Sequence, residues 1–321
     1  MAMKKFSGLP GTLALWAWVL WGSSACSTLQ AESPYQNWQV IDVTQKMVVT
    51  FADLRPALLK ADVIYVGETH YTPSHIEAAL KILDALVQAG KSPTIGMEMF
   101  SWDGQSALDR YVRGEMSTVE EFLSESHWKD NWGGQYEGYS PLVDYAKQHG
   151  LKLLGLNPPR MLVRKVVQQG LAGIGSDPDL KKWNISDPFP EDDPDYRRVI
   201  YEQIEQCHGG MTPEVYEKIY EASVFRDEGM ASMISTAIRS DADETQPFVS
   251  YTGSGHIQYG LPIPKRVERR SGGSVRQLTV YLHAFDRGYP EDVERLIQEN
   301  IADFIWLTPL GPQGRTPRCG E

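Results

Sequence analysis

The sequence lacks the features by which several large protein classes are recognised. Its 321 residues contain no long Lys/Arg cluster and carry a formal net charge of −11. This charge balance argues against a nucleic-acid partner, because a phosphate backbone requires a basic patch, and it provides no polybasic anchor for an anionic membrane. The chain also has no HExxH, P-loop, GxSxG or CxxCH motif. Standard zinc proteases, NTPases, α/β-hydrolases and c-type haem attachment are therefore without support.

Long hydrophobic runs are scarce, and the apolar stretch near the N-terminus is too short to span a bilayer. It covers residues 12–21, follows Lys4 and Lys5, and precedes the small residues at 22–25. A charged start, a short apolar centre and small residues before a cleavage point are typical of a secretory signal peptide. We therefore expect a signal peptide over residues 1–25 and an extracytoplasmic mature chain.

Cysteine is also scarce, with three residues in the chain. Cys26 stands where the lipidated cysteine follows a bacterial lipobox, although Ser23 occupies the position where Leu is usual. Ordinary signal-peptidase cleavage after Ala25 is the alternative, because small residues occupy both positions that this enzyme reads. If Cys26 carries a lipid, Cys207 and Cys319 are left as candidates for a disulfide in an oxidising compartment.

The remaining chain alternates short apolar runs with helical patterns, which predicts an α/β fold with a mostly parallel sheet flanked by helices. We assign residues 51–160 and 246–309 to this α/β domain. Residues 26–50 are polar and predict a tether, and residues 310–321 predict a disordered tail. No strand pattern occurs between 161 and 245, so this segment predicts a smaller helical insertion domain.

Four apolar runs predict strands, and each run stops at residues with useful chemistry. The runs cover 62–66, 93–97, 152–156 and 247–251, and the sequences after them begin GETH, EMF, NPPR and TGSGH. Ligands of open α/β sheets bind outside the carboxyl ends of the strands. If the four strands are parallel neighbours, the side chains that follow them meet in one cleft. These side chains are His70, Glu98, Asn157 and His256.

Two histidines and a carboxylate in such a cleft have two functional interpretations and a structural one. His70, Glu98 and His256 could hold a divalent metal ion with a position open for water. The same residues could instead line a pocket for a large ligand. The structural alternative is a capping carboxylate beside a surface histidine, a glycine-rich connection before His256, and an ion pair between Arg226 and Asp227 on a helix surface.

Aromatic residues are concentrated between positions 127 and 139 in a glycine-rich segment. They are His127, Trp128, Trp132, Tyr136 and Tyr139. Exposed Trp and Tyr around a pocket would suit a flat apolar ligand, and a deprotonated tyrosine can bind haem iron. The alternative is that these rings only seal the helical insertion against the sheet.

Six motifs extend from about Leu54 to Pro264: GETHYTPSH, GMEMF, EGYSPLVDYA, GLNPPR, RDEGMA and YTGSGHIQYGLPIP. In this order and spacing they resemble the motifs of the ChaN-like haem-binding lipoproteins. That family belongs to the broader Tiki/erythromycin-esterase-like superfamily. The resemblance implies a parallel sheet flanked by helices with a small helical domain, in an envelope lipoprotein tied to haem or iron uptake.

The resemblance also implies a set of site residues. Family members are reported to hold haem between two protomers, through a tyrosine ligand supported by histidine. The candidate haem-binding residues here are Tyr139, Tyr71, Tyr136, His70 and His256. In the wider superfamily the corresponding His, Glu and His form a catalytic or metal-binding set, which maps onto His70, Glu98 and His256.

Our leading interpretation is a non-enzymatic haem-binding lipoprotein of the bacterial cell envelope, anchored to the outer membrane through Cys26 and involved in haem or iron acquisition. It predicts haem as the cofactor, a homodimer on haem binding and no nucleic-acid partner. The alternative is a metal-dependent hydrolase that uses His70, Glu98 and His256 with a divalent metal. A third interpretation is a scaffolding lipoprotein whose pocket is vestigial.

Overall fold

Eight strands form one mixed sheet in the computed structural model, which describes residues 33–175, 177–178, 180, 193–240, 246–312 and 314–315. The strands are β1 Val40–Asp42, β2 Met47–Val49, β3 Val63–Glu68, β4 Thr94–Ser101, β5 Leu153–Asn157, β6 Phe248–Gly253, β7 Gln277–Ala284 and β8 Phe304–Thr308. Their order is β2-β1-β8-β7-β3-β6-β4-β5. Strand β1 pairs antiparallel with β2 and β8, and the other pairs are parallel, so the predicted mostly parallel sheet is confirmed.

Eleven α-helices connect and flank these strands in the described residues. They are α1 Phe51–Lys60, α2 Pro73–Gln88, α3 Gln105–Val112, α4 Val119–Glu125, α5 Trp128–Asn131, α6 Ser140–His149, α7 Arg160–Ile174, α8 Pro194–His208, α9 Pro213–Ser240, α10 Ile263–Ser271 and α11 Pro290–Gln298. Short 3-10 turns cover Trp102–Gly104, Tyr136–Gly138, Ser254–His256 and Gln258–Gly260. Among the described residues, no helix is both long enough and apolar enough to cross a membrane.

Strand β3 is buried along its length because helices cover both faces of the sheet. Ile64 and Val66 pack into the largest core with α1, α2 and α6, whereas Val63 and Tyr65 pack into a second core with α9 and α10. Successive side chains of a strand point to opposite faces, so burial on both faces requires an uninterrupted apolar run. This is the reason the central strands could be located from hydrophobicity.

The connection from β3 through α2 to β4 differs from a simple βαβ unit, because β6 lies between the two strands. The chain leaves β3 toward β4 on one side and leaves β6 toward β7 on the other. Such a reversal of direction opens a crevice outside the carboxyl ends of the strands. The centre of the sheet, at β3 and β6, is therefore where a ligand site is expected.

Two strands continue further than their apolar runs. Strand β3 extends to Glu68, which pairs with Gly253 of β6, and β4 extends through Glu98 to Ser101. Helix α2 begins at Pro73 after Thr72. Proline is favoured at the first helical position, which explains this start. The Ser74 hydroxyl in its first turn donates to the carbonyl of Pro309 at 2.7 Å.

The segment 161–245 is mainly helical where the structure describes it. Helix α9 packs against α7 and α10 and also against strands β5 and β6. The described residues form one compact unit. The helices of this segment therefore close one face of the sheet, and α9 brings its side chains to the strand ends.

Two segments predicted to be irregular are ordered at the edges of the fold. Within the predicted 26–50 tether, Val40 and Ile41 are buried, and Val40 pairs with Trp306 of β8. Within the predicted 310–321 tail, Arg315 donates two hydrogen bonds to Asp292, at 3.0 and 2.8 Å. A three-residue strand is too short to show a period in the sequence, which is why the tether prediction was wrong for residues 40–49.

Several predictions near the termini lie outside the described residues. These concern the signal peptide at 1–25, the lipidation of Cys26, and the pairing of Cys207 with Cys319, since neither Cys319 nor the side chain of Cys207 is described.

The burial of β1 generates a stability prediction. We expect Ile41→Ala to lower the free energy of unfolding by about 2–5 kcal/mol, because it removes a buried side chain from the core under β8. Val48→Ala on the neighbouring strand β2, where Val48 is exposed, should change it by less than about 0.5 kcal/mol. Equilibrium denaturation of both variants measures the difference. Equal effects would mean that β1 is not part of the cooperative core.

Candidate functional site

Glu68 is a buried carboxylate that accepts hydrogen bonds from three side chains. Its Oε1 faces His70 Nδ1 at 2.7 Å and accepts from the Tyr139 hydroxyl at 2.9 Å. Its Oε2 accepts from the Tyr251 hydroxyl at 2.8 Å. An ionised carboxylate removed from water is stable only with such donors. The three bonds hold an imidazole and two phenols around the end of β3.

The turn after β3 is fixed by two backbone hydrogen bonds. The Thr69 N–H donates to His75 Nδ1 at 2.9 Å, and the Tyr71 N–H donates to the Tyr139 hydroxyl oxygen at 3.2 Å. Tyr71 has φ 60°, in the left-handed region that bulky side chains rarely adopt. Such a conformation persists only where the surroundings impose it. The turn therefore fixes the backbone from which the Tyr71 ring projects.

Glu98 is the second buried carboxylate, and it lies on the sheet face opposite to Glu68. Its Oε1 accepts from Arg226 Nη2 at 2.5 Å and lies 3.3 Å from His256 Nε2. Its Oε2 accepts from the Gly253 N–H at 2.7 Å. The side-chain amide of Asn157 donates to the Glu98 carbonyl at 2.9 Å and accepts from Arg226 Nε at 3.1 Å. The ends of β4, β5 and β6 are thus connected to helix α9.

Two side chains, Asp227 and Tyr196, support His256 from behind. Its Nδ1 lies 2.5 Å from Asp227 Oδ1, and Asp227 Oδ2 accepts from the Tyr196 hydroxyl at 2.5 Å. Both Asp227 and Tyr196 are buried. A carboxylate at Nδ1 fixes the orientation of the imidazole and leaves Nε2 directed at Glu98.

These contacts raise the pKa of His256 and lower the pKa of Glu98. Burial disfavours the charged imidazole, but the carboxylates of Glu98 and Asp227 outweigh it and raise the pKa of His256 to about 9. Burial likewise opposes ionisation of Glu98, but His256 and Arg226 hold its pKa well below the usual range. At neutral pH the two residues form an ion pair.

His70 and Tyr139 respond to the same carboxylates. Burial lowers the pKa of His70, but its bond to Glu68 and the charge of Glu98 outweigh burial and raise it overall. Burial, followed by the charge of Glu68, raises the pKa of Tyr139 above the ordinary phenol range. The Tyr139 hydroxyl therefore stays protonated and serves as a donor to Glu68.

Gly253 lies between the Glu68–His70 pair and the Glu98–His256 pair, and its lack of a side chain lets the two pairs come close. A Cβ at this position would lie 3.1 Å from His70 Nε2 and 3.4 Å from Glu98 Oε2. The structure thus brings His70, Glu98 and His256 together at one edge of the sheet. Asn157 joins them through its bonds to Glu98 and Arg226.

The three candidate tyrosines differ in their access to solvent. Tyr71 is 37% exposed, whereas Tyr139 is 0% and Tyr136 6% exposed. The Tyr71 hydroxyl lies directly over Gly134, where any Cβ would overlap it. The Trp132 ring lies 6.5 Å from the Tyr71 ring and 5.0 Å from the His70 ring, measured between centroids. The exposed aromatic surface of the site is therefore built around Tyr71 and Trp132.

The other Trp and Tyr rings of the aromatic segment belong to the largest core, whereas His127 is exposed. Trp128, Tyr136 and Tyr139 pack there with Phe100 and Phe122. This core lies on the face of the sheet opposite to α9. The interpretation that these rings seal the helical insertion is therefore wrong, because they pack against Phe100 of β4 and Phe122 of α4 instead.

The interpretation of Arg226 and Asp227 as a surface ion pair is also wrong. Arg226 binds Glu98, and Asp227 binds His256, so neighbouring residues of α9 each complete a different part of the site. Their position in the RDEGMA motif was the available sequence signal. No sequence signal pointed to Tyr196 or Tyr251, whose roles depend on which strand and helix ends meet.

The geometry gives no support to a divalent metal at this site. Both oxygens of Glu98 already accept protein donors, and the Nδ1 atoms of His70 and His256 face carboxylates. Among the described residues, no group of three His, Cys, Asp or Glu side chains is placed to hold a metal ion. The arrangement is instead a set of charged pairs that could bind a polar group or transfer a proton.

A sequence model of the family described as "Haem-binding uptake, Tiki superfamily, ChaN" matches residues 54–267, which is more than half of the chain. The chain belongs to this ChaN family. The match spans the Glu68 turn, the aromatic segment, Arg226 and the Gly253 strand end, so it includes every part of the site described above.

A solved structure supports the fold expected for a ChaN protein. The structure of cofacial heme binding to ChaN of Campylobacter jejuni is similar with a TM-score of 0.63 and 18% identity, over 84% of this chain and 96% of that one. An erythromycin esterase mutant in its open conformation gives a TM-score of 0.42 at 13% identity, over 77% of this chain and 76% of that one. A similarity of that size carries no argument about activity.

Among curated proteins, RETICULATA-RELATED 5 from the chloroplast of Arabidopsis thaliana is 24% identical over 270 residues. The alignment covers 80% of this chain and 35% of that protein. This chain thus spans about a third of the length of the curated relative that it matches.

The ionisation of His256 generates a pH prediction. A histidine whose pKa is about 9 in the folded protein and about 6.5 in the unfolded chain stabilises the fold fully below pH ~6.5. That contribution is lost as pH rises through about 9. We expect the free energy of unfolding to fall by on the order of 2 kcal/mol across this interval.

Urea denaturation at a series of pH values measures this effect. His256→Gln should flatten the dependence above pH ~6.5, whereas His149→Gln at the end of α6 should leave it unchanged. A wild-type profile that is flat between pH 6.5 and 9.5, values set by the same linkage argument, would show that His256 is not held protonated by its two carboxylates.

Proposed function

We propose that the chain binds haem at the mouth of the cleft, with Tyr71 as the iron ligand. The observation that carries this proposal is that Tyr71 is exposed, whereas the other two candidate iron ligands, Tyr136 and Tyr139, are buried. A tyrosine that binds the iron must present its oxygen to a porphyrin that enters from solvent. The Tyr139 hydroxyl is instead buried and bonded to Glu68. Phenolate is an established haem ligand, and membership of the ChaN family supports haem as the partner.

The surroundings of Tyr71 fit a large flat ligand. Trp132 and Tyr71 offer adjacent aromatic surface, and the absence of a side chain at Gly134 lets the Tyr71 hydroxyl lie against that loop. The left-handed turn fixes the backbone at Tyr71 before binding, which lowers the entropy that ordering this segment would otherwise cost. His70 lies next to Tyr71 and can support the ligand as a hydrogen-bond partner.

We further propose that haem binding joins two copies of the chain. A porphyrin held at an exposed tyrosine has one face on this protein and the other toward solvent. A second protomer would cover that apolar face, and the burial of apolar area would favour the dimer. The family resemblance points the same way, and this chain would then act as a homodimer when loaded with haem.

Tyr71 generates the central test of this function. We expect Tyr71→Phe to shift the absorption spectrum of bound haem and to weaken its affinity, because the iron loses its oxygen ligand. Tyr139→Phe should keep the spectrum and lower the free energy of unfolding by about 1–3 kcal/mol, since Glu68 and the Tyr71 N–H each lose a partner. Haem titrations followed by absorption, with denaturation of each variant, measure both effects.

The contrary outcomes are distinct. A spectral change with Tyr139→Phe alone would assign the ligand to the buried tyrosine and require the cleft to open. If wild-type protein showed no saturable haem binding but hydrolysed an ester or peptide in a His256-dependent way with added divalent metal, the hydrolase alternative would replace the proposal. Absence of both activities would favour the scaffolding interpretation.

We place this function in the bacterial cell envelope, where a lipid on Cys26 would anchor the protein to the outer membrane for haem or iron acquisition. The proposal rests on the signal-like residues before Cys26 and on the uptake role of the family. Cys26→Ala should move the protein from the membrane fraction to the soluble periplasmic fraction, as immunoblots of fractionated cells would show. Ser27→Ala is the matched control. Unchanged partitioning of Cys26→Ala would mean that another feature holds the protein.

A further inference from the structure

Charges of opposite sign are layered in the cleft. The side chains of Glu68, Glu98 and Asp227 are 0%, 2% and 2% exposed. Their cationic partners are the outer layer, since His70, Arg226 and His256 are 40%, 31% and 16% exposed. A ligand that approaches from solvent therefore contacts basic nitrogen atoms first, and the carboxylates lie behind them. We call the three outer residues the cationic floor.

The cationic floor is compact because its members surround one carboxylate. Arg226 and His256 both approach Oε1 of Glu98, at 2.5 and 3.3 Å. His70 reaches the same place from the other face of the sheet, with its Nε2 beside Gly253. Glu98 already contacts Arg226 and His256 on the buried side, so a bound anion would approach these basic groups from the solvent side.

The guanidinium of Arg226 is held in an orientation that suits it to donate a further hydrogen bond. Its Nη2 is bonded to Glu98 and its Nε to Asn157, which fixes the plane of the guanidinium. Among the described residues, its Nη1 has no hydrogen-bond partner. A guanidinium fork is suited to the paired oxygens of a carboxylate or phosphate, and its orientation here is set before binding.

We propose that the cationic floor of His70, Arg226 and His256 is a binding site for an anionic oxygen group, with Arg226 Nη1 as its principal donor. Two sources of this chemistry are compatible with the cleft. One is a propionate carboxylate of haem, which rests on the proposed function. The other is a separate small anion, such as inorganic phosphate, which does not.

Comparison of haem with its dimethyl ester tests the first source, because the ester keeps the ring and iron and lacks the carboxylates. We expect wild-type protein to bind haem about tenfold or more tightly than the ester, the ratio expected for a lost charge-assisted hydrogen bond. Arg226→Lys keeps a cation beside Glu98 and so preserves the fold, but it removes the forked donor. Its ratio should fall toward one.

Arg110→Lys is the matched control, because Arg110 on α3 is 34% exposed and is likewise bonded to carboxylates, Glu121 and Glu125. It should keep the wild-type ratio. Tyr71→Phe should also keep the ratio while weakening both porphyrins, which separates the iron ligand from the anion site.

Inorganic phosphate tests the second source without haem. At constant ionic strength, phosphate that binds the folded state should raise the melting temperature of wild-type protein with a saturable dependence on concentration. Arg226→Lys should lose this effect and Arg110→Lys should retain it.

The outcomes separate the two proposals. Failure of both porphyrins to bind would remove the haem function but leave the anion site to be decided by phosphate. An Arg226-dependent response to either probe supports the anion site and identifies its source. If the haem-to-ester ratio is one and phosphate has no saturable effect, or if Arg226→Lys behaves as wild type in both assays, the anion site is overturned.

Discussion

Two carboxylates buried at the strand ends, Glu68 and Glu98, set the arrangement of everything around the cleft. An ionised carboxylate removed from water raises the free energy of the folded state by several kcal/mol unless donors surround it. Glu68 is satisfied by an imidazole and two phenols, and Glu98 by a guanidinium, an imidazole and a backbone N–H. These donors come from segments separated by up to 183 residues in the chain. The site therefore forms only when the sheet and the helices across it are both in place.

The charged contacts also fix the position of α9 on the sheet. Arg226 carries a positive charge to Glu98, and the next residue, Asp227, carries a negative charge to His256. A shift of this helix by one residue would place either Arg226 against His256 or Asp227 against Glu98, so that one charge would face its own sign. Burial of Met230 and Ala231 in the core below stabilises the packing of the helix but does not distinguish one register from another. We infer that the polar contacts select the register that the apolar contacts stabilise.

Much of the fold could be predicted because burial on both faces of the sheet leaves a strong hydrophobic pattern. Strands β3 to β6 were located within a few residues, and the strand-end residues His70, Glu98 and His256 were identified from their position after apolar runs. Strand β1 was missed because three residues do not establish a period. Arg226 was misread because a charged pair on a helix is usually solvated, and only tertiary structure shows that α9 turns this pair inward. The exposure of Tyr71 relative to Tyr139 likewise depends on packing between distant segments.

The insertion of β6 between β3 and β4 has a consequence for how the chain reaches this structure. Both sheet neighbours of β3, the strands β6 and β7, lie more than 170 residues further along the chain. Until those strands are synthesised, β3 has two unpaired edges and an apolar sequence, a combination prone to intermolecular pairing. Pairings between such distant segments also form slowly, because a long loop must close first. The order of strands thus delays completion of the sheet until β6 and β7 have been synthesised, and it disfavours folding of the earlier strands while those segments are still being made.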